Sequence, residues 1–177
     1  MDFFAFALSL IIFILPSYFA NSVPVLLGGG LPIDLGAKFH GQRLFGNGKT
    51  IRGFFAGVFA GLLVACLEAL LLPGTALDIF NGNAALYIYS GFLLSLGTMV
   101  GDLAGSFVKR RQNIAQGKQS LAVDQLSFLA FALLFAYPVA SQIITLEAVV
   151  FLTVLTYFVH IGANVLANRF GLKKVPW

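Results

Sequence analysis

Three residues of the 177-residue chain, Asp102, Ser106 and Lys109, recur at spacings that bring a carboxylate, a hydroxyl and a cation onto one side of a helix. With successive residues turning by about 100°, these three and Asn113 fall within about 60° of one another. Asp102 ends an otherwise apolar segment, where a carboxylate is costly unless it is paired, bound to metal or facing a wet cavity. Asp124-Gln125 stands on the far side of the basic run Lys109-Arg110-Arg111 and Lys118. Two carboxylates, Asp102 and Asp124, at equal membrane depth suit a hard cation with oxygen ligands such as Mg2+. Earlier in the chain, Gly46-Asn47-Gly48-Lys49-Thr50 is followed by Arg52. It is not a P-loop, because Arg43 stands where that motif needs its first glycine. Glycine amides beside Lys49 and Arg52 at a helix start nevertheless favour phosphate. Carboxylate, metal and cations together point to phosphate chemistry, with the arginines offering bidentate forks. Two plainer uses remain open: passive contact with anionic head groups, and an ion pair of Asp102 with Lys109 or Arg52.

These residues sit between segments that only a membrane explains. The chain is 59% hydrophobic and 10% charged, against about 25% charged in soluble domains, and its mean hydropathy is +0.91. Five spans are expected, at about 3–20, 53–72, 84–105, 123–144 and 146–168, forming one all-α integral membrane domain over 1–177. The polar connections are 21–52, broken by Pro24 and Pro32, and 106–122. No basic residue precedes the first apolar run, so it reads as a retained helix and not a signal peptide. The lone cysteine, Cys66, excludes an intramolecular disulfide and a cysteine metal site.

Every one of the eleven Lys and Arg residues falls in the first loop, the third connection or the tail. That alternation places the N-terminus outside, and both large basic loops and the C-terminus in the cytoplasm. The net charge of +4 is thus a membrane-orientation signal, and nucleic acid is not an expected partner. Glu68 should lie near the outer interface. His160, Asn164 and Asn168 form a polar stripe facing protein or water; His160 is a candidate base, or else a helix-bridging donor. Gly53, Gly57 and Gly61 on the second span and Gly97, Gly101 and Gly105 on the third recur every fourth residue, as small-residue packing faces do. If those two faces meet, Lys49, Thr50 and Arg52 come beside Asp102, Ser106 and Lys109.

Gly101-Asp102, then Ser106-Phe107-Val108-Lys109-Arg110, a loop, and Asp124-Gln125 resemble the signature of CDP-diacylglycerol synthases and their archaeal relatives. Pro32-Ile33-Asp34, Phe39, Arg43, Phe45-Gly46, Gly48-Lys49-Thr50-Ile51-Arg52-Gly53 and the terminal Val175-Pro176-Trp177 are more specifically similar to the CDP-archaeol synthase family. The resemblance covers Asp34 to Trp177, and the short five-span length suits the archaeal branch. It implies a Mg2+-dependent, multi-pass cell-membrane cytidylyltransferase whose active site faces the cytoplasm. CTP and an isoprenoid ether lipid phosphate, 2,3-bis-O-(geranylgeranyl)-sn-glycerol 1-phosphate, would be its substrates, and a CDP-activated lipid and pyrophosphate its products. By matching position, Asp102 and Asp124 would bind metal and act in catalysis with Lys109. Asn47, Lys49, Thr50, Arg52, Ser106, Lys109 and Arg110 would hold the CTP phosphates. Asp34, Arg43, Gln125, His160 and Asn164 are secondary candidates. One departure stands out: the family usually has a second Asp three residues after Asp124, where this chain has Ser127. A ligand from Asp34 or Asn47, or fewer metal ions, would follow. The alternatives are a CDP-diacylglycerol synthase acting on phosphatidic acid, an ion-coupled transporter, and a lipid-binding scaffold. The acidic residues gather at one boundary and no internal repeat is evident, which argues against a permeation path.

Overall fold

The computed structural model describes residues 3–115 and 120–172, apart from the side chains at 121, 122, 124 and 125. Five helices follow in order: α1 (Phe3–Leu27), α2 (Ile51–Leu71), α3 (Ala84–Arg111), α4 (Leu121–Ala140) and α5 (Leu146–Arg169). α1, α2, α3 and α5 are long and apolar enough to cross a membrane, and α4 carries a shorter apolar stretch, Leu126–Ala140. A two-stranded hairpin, β1 (Lys38–Phe39) with β2 (Gln42–Arg43), is added to the all-helical expectation. Its turn, His40-Gly41, has positive φ at both residues, the geometry that matches strand twist in a two-residue hairpin.

The first loop starts later than expected, because α1 continues through Pro16 and Pro24 to Leu27. Proline ends helices in water but is tolerated where a neighbouring helix meets the freed carbonyl. Pro24 has no N–H for the carbonyl of Ala20, and that oxygen instead lies against Gly57, where an added Cβ would stand 2.6 Å from it. α3 runs six residues past its expected end, its last turn being Lys109-Arg110-Arg111. Cations there complement the negative end of the helix dipole. The helix stops because Asn113 takes a left-handed conformation, φ 57°, so Asn113 does not share the helical face of Asp102 and Lys109. α4 ends at Ala140 and not at 144; Thr145 then caps α5 by accepting from the Ala148 amide at 3.3 Å.

The two glycine faces do not meet each other. Those of α2 nestle between α1 and α3: a Cβ on Gly61 would lie 2.5 Å from the Pro16 carbonyl and 1.9 Å from Ser95 Oγ. Those of α3 face α4 instead, with Gly97 against Phe131 and Gly101 against Ser127 and Phe128. α3 therefore packs closely on both sides, using Gly91 toward Ala65 of α2 and the other three glycines toward α4. Small residues let backbones approach where lipid gives no hydrophobic drive for association. Leu10, Phe13 and Ile14 of α1, Tyr87 and Leu94 of α3, Phe128, Leu129 and Leu133 of α4, and Leu152 of α5 form the core. Hydroxyl pairs bridge helices, Ser17 with Thr98 at 2.6 Å and Tyr18 with Thr156 at 2.9 Å. Glu68, in the last turn of α2, is buried against the protein, 8% exposed.

Candidate active site

The connection from α1 to α2 is folded around Asp34. Its carboxylate accepts from the amides of Gly36 (3.2 Å), Phe45 (3.0 Å) and Gly46 (3.1 Å) and from both ends of the Arg43 fork. Burial pushes this carboxyl up, but Arg43 and the three amides outweigh it and hold it well below the usual carboxylate range. Arg43 donates its remaining nitrogen to Asn47 Oδ1 at 2.7 Å. Asp34 and Arg43 are therefore engaged with each other and the loop. Asn47 keeps an exposed position, although its carbonyl oxygen already accepts from Arg43.

That fold delivers Lys49 to α3. The backbone of Lys49 accepts from Ile33 N at 2.7 Å, and Ile51 N donates to the Leu31 carbonyl at 3.1 Å, so residues 31–33 clamp 49–51. Thr50 is buried and caps α2, its hydroxyl accepting from Gly53 N at 3.1 Å. Lys49 Nζ then reaches both oxygens of Asp102, at 2.7 and 2.6 Å. About 30% of each side chain remains exposed. Among the described residues the partner of Asp102 is thus Lys49, and neither Lys109 nor Arg52.

A second link ties the hairpin to the end of α3. Arg111 donates to the carbonyls of Phe39 (2.7 Å) and Arg43 (2.6 Å), and its guanidinium lies 4.8 Å from the ring centre of Phe107 and 5.4 Å from that of Phe39. Planar guanidinium serves both contacts where an ammonium would not. Gln42 also donates to Asn113 Oδ1. Between hairpin and helix end lies a cleft of about 330 Å3, bounded by Gln42, Arg43, Gly46, Asn47, Arg110, Asn113 and Ile114. Arg111 and Gln42 were not legible as site-forming residues, since nothing in their spacing reveals the partners they meet, and Asn113, expected on the helical face of Asp102, instead meets Gln42 beyond the end of α3.

The remaining candidates divide by position. Ser106 is buried one turn beyond Asp102, Lys109 is half-buried and engaged, and Arg52 is exposed on the first turn of α2. His160 stacks on Phe128, with ring centres 6.2 Å apart, and Asn164 is buried; both are engaged within the protein. They lie on α5, apart from the Lys49–Asp102 pair in sequence, and no contact joins them to it among the described residues. The side chains of Asp124 and Gln125, and all of Lys118, fall outside the described residues. The α4 backbone next to Asp124 does reach α3: a Cβ on Gly105 would meet the Val123 carbonyl at 3.3 Å and Ser127 Oγ at 2.4 Å. Ser127, the departure from the family motif, is wedged in that helix contact. No cluster of three or more His, Cys, Asp or Glu side chains occurs among the described residues. Asp102 nonetheless suits a hard cation in kind: its two oxygens already converge on one positive group and remain open to solvent.

Comparison with known proteins agrees with this arrangement. A family model described as "CarS-like: CDP-archaeol synthase" matches residues 3–177. Curated proteins named CDP-archaeol synthase from Pyrococcus horikoshii and Pyrococcus abyssi are 50% and 49% identical over 166 residues. These alignments cover 93% of this chain and 94% and 95% of the relatives. A solved structure described as an intramembrane enzyme for archaeal membrane lipid biosynthesis superposes with a TM-score of 0.75 at 36% identity, covering 88% of this chain and 92% of the other.

Proposed function

The chain belongs to the CDP-archaeol synthase family, and from that premise we propose that it transfers a cytidylyl group from CTP to 2,3-bis-O-(geranylgeranyl)-sn-glycerol 1-phosphate in a Mg2+-dependent reaction. It is a membrane enzyme of lipid biosynthesis, acting on a lipid and a nucleotide. The observation that carries the finer reading is the two-oxygen contact of Lys49 with Asp102, which joins the Gly-rich loop to the acidic and basic face of α3.

The lipid phosphate attacks the α-phosphorus of CTP, the bond to the β-phosphate breaks, and pyrophosphate leaves with that electron pair. A phosphate monoester is already nucleophilic near neutral pH, so no Ser, Cys or His nucleophile is needed. Positioning and charge neutralisation carry the rate. Lys49, at the positive end of α2, stands next to where phosphate would lie, with Lys109 and Arg110 on the last turns of α3 and Arg52 open to solvent. Asp102 holds Lys49 in place until the nucleotide arrives, and Lys49 then transfers to phosphate. Mg2+, when bound, would neutralise phosphate oxygens, and Asp102 and Asp124 are the residues that would hold it. The positive-inside charge pattern orients this end of the bundle to the cytoplasm, the side from which CTP would enter, with five membrane crossings and the N-terminus outside. The lipid tails would stay in the bilayer.

Pyrophosphate release from the purified protein with Mg2+ and the ether lipid phosphate tests the proposal. CTP-dependent, ATP-independent release that requires Mg2+ is expected. Folded protein that releases none with any lipid phosphate would overturn it.

A further inference from the structure

Lys49 meets Asp102 as a metal ion would, one positive group drawn to both carboxylate oxygens, at 2.7 and 2.6 Å. A divalent cation such as Mg2+ takes oxygen ligands at about 2.0–2.1 Å, so a cation on either oxygen would stand within about 5 Å of the ammonium. Even at the dielectric of water, that repulsion would weaken metal binding by about tenfold. Lys49 has little freedom to avoid it. Its amide donates to the Gly46 carbonyl at 3.2 Å, its own carbonyl accepts from Ile33 at 2.7 Å, and Thr50 beside it caps α2. The backbone is thus fixed, and only rotation of the side chain frees Asp102. Room for a cation exists next to the pair. A cavity of about 40 Å3, whose lining includes Lys49, Thr50, Gly53, Met99 and Asp102, exceeds the roughly 10–15 Å3 that one water needs.

We propose that Lys49 and a divalent cation exclude each other at Asp102, so that this carboxylate admits metal only once nucleotide phosphates have drawn the ammonium away. The inference rests on the nucleotidyl-transfer reading above. Phosphate and metal differ in what they offer Lys49. Phosphate supplies a replacement acceptor, and the pair given up is about 30% exposed on each side, so that exchange costs little. A metal ion arriving alone supplies no acceptor and repels the ammonium, which must then turn to water. The coupling is reciprocal: nucleotide raises the affinity for metal, and metal raises the affinity for nucleotide by the same factor. Arg52, exposed on the first turn of α2, forms no ion pair with Asp102 among the described residues and takes no part in the exclusion. The consequence is an Asp102 that stays closed to free cations and opens when there is phosphate for the metal to neutralise.

The test is titration of the purified full-length protein with Mn2+, a paramagnetic stand-in for Mg2+, followed by electron paramagnetic resonance without nucleotide or lipid phosphate. Lys49→Met, which keeps an unbranched side chain and loses the charge, should bind Mn2+ more than about fivefold more tightly than wild type. Adding Asp102→Asn to Lys49→Met should abolish that gain. Arg52→Met removes a cation that is exposed and not paired with Asp102, and should stay within about twofold of wild type. The unaltered protein gives the same reading with no substitution to disturb its folding. Labelling of Lys49 by an amine-reactive reagent, followed by peptide mass spectrometry, should rise by more than about twofold as Mn2+ is added to saturation. Equal Mn2+ affinity in wild type and Lys49→Met, a gain as large in Arg52→Met, or Lys49 labelling indifferent to Mn2+ would each overturn the exclusion. If the exclusion is observed yet CTP and the ether lipid phosphate release no pyrophosphate, the transfer reaction fails and the exclusion stands.

Discussion

Two aspartates on the same end of the bundle each meet a basic side chain, and they are built for opposite purposes. Asp34 has no exposed side-chain surface and five donors around it, from Arg43 and three backbone amides. Asp102 has a single described partner, Lys49, and both remain about 30% exposed. A saturated, buried carboxylate cannot exchange partners without breaking the loop that surrounds it. An open pair can, because water or phosphate replaces what is lost at little cost. Charge pairing alone therefore does not mark a reactive group; spare coordination does.

Substitutions at the two sites should separate accordingly. Asp102→Asn is expected to lower turnover by about 10²–10³-fold, the cost of removing one charge-stabilising group. Its melting temperature should barely move, since an exposed pair contributes about 0–1 kcal/mol. Arg43→Ala should do the reverse. It strands the buried Asp34 charge and should cost about 3 kcal/mol of stability, the low end for a broken buried pair given that Arg43 is partly exposed. Thermal denaturation in detergent measures both. Equal destabilisation by the two substitutions would erase the contrast.

A smaller effect sharpens it. Arg111→Lys keeps the charge but loses the planar fork that holds two hairpin carbonyls. The hairpin should then be less well positioned, raising the KM for nucleotide about tenfold with kcat little changed. Smallest is the pH dependence. The Asp34 carboxyl titrates below its usual range, so its contribution to stability is complete above the unfolded value of about 3.9. It is lost as the pH falls through the lower folded value. Melting temperatures recorded downward from pH 5 should fall more steeply for wild type than for Asp34→Asn, and parallel curves would contradict the assignment.

The sequence displayed the helices because lipid imposes long apolar runs, and it displayed Asp102 because charge is rare in such runs, whereas Lys49 and Lys109 stood out by their place in the basic connections. Helix ends were less legible. Pro24 stops a helix in water, but here Gly57 receives the freed Ala20 carbonyl. The glycine repeats announced close packing without announcing partners: those of α2 serve α1 and α3, and those of α3 serve α4. Lys49 still reaches Asp102, because Gly57 and Gly61 of α2 also lie against Met99 and Ser95 of α3. The Asp34 loop was hidden for a different reason. Three of its five donors are backbone amides and the fork comes from nine residues away, so residue types do not reveal which donors surround the carboxylate.

The contrast between the two aspartates is tested most directly by assaying Asp102→Asn and Asp34→Asn side by side, for CTP-dependent pyrophosphate release and for melting temperature in the same detergent. Asp102→Asn should melt like wild type and be nearly inactive, whereas Asp34→Asn should melt lower and retain turnover in proportion to the folded fraction. An Asp102→Asn protein that turns over normally would contradict the account.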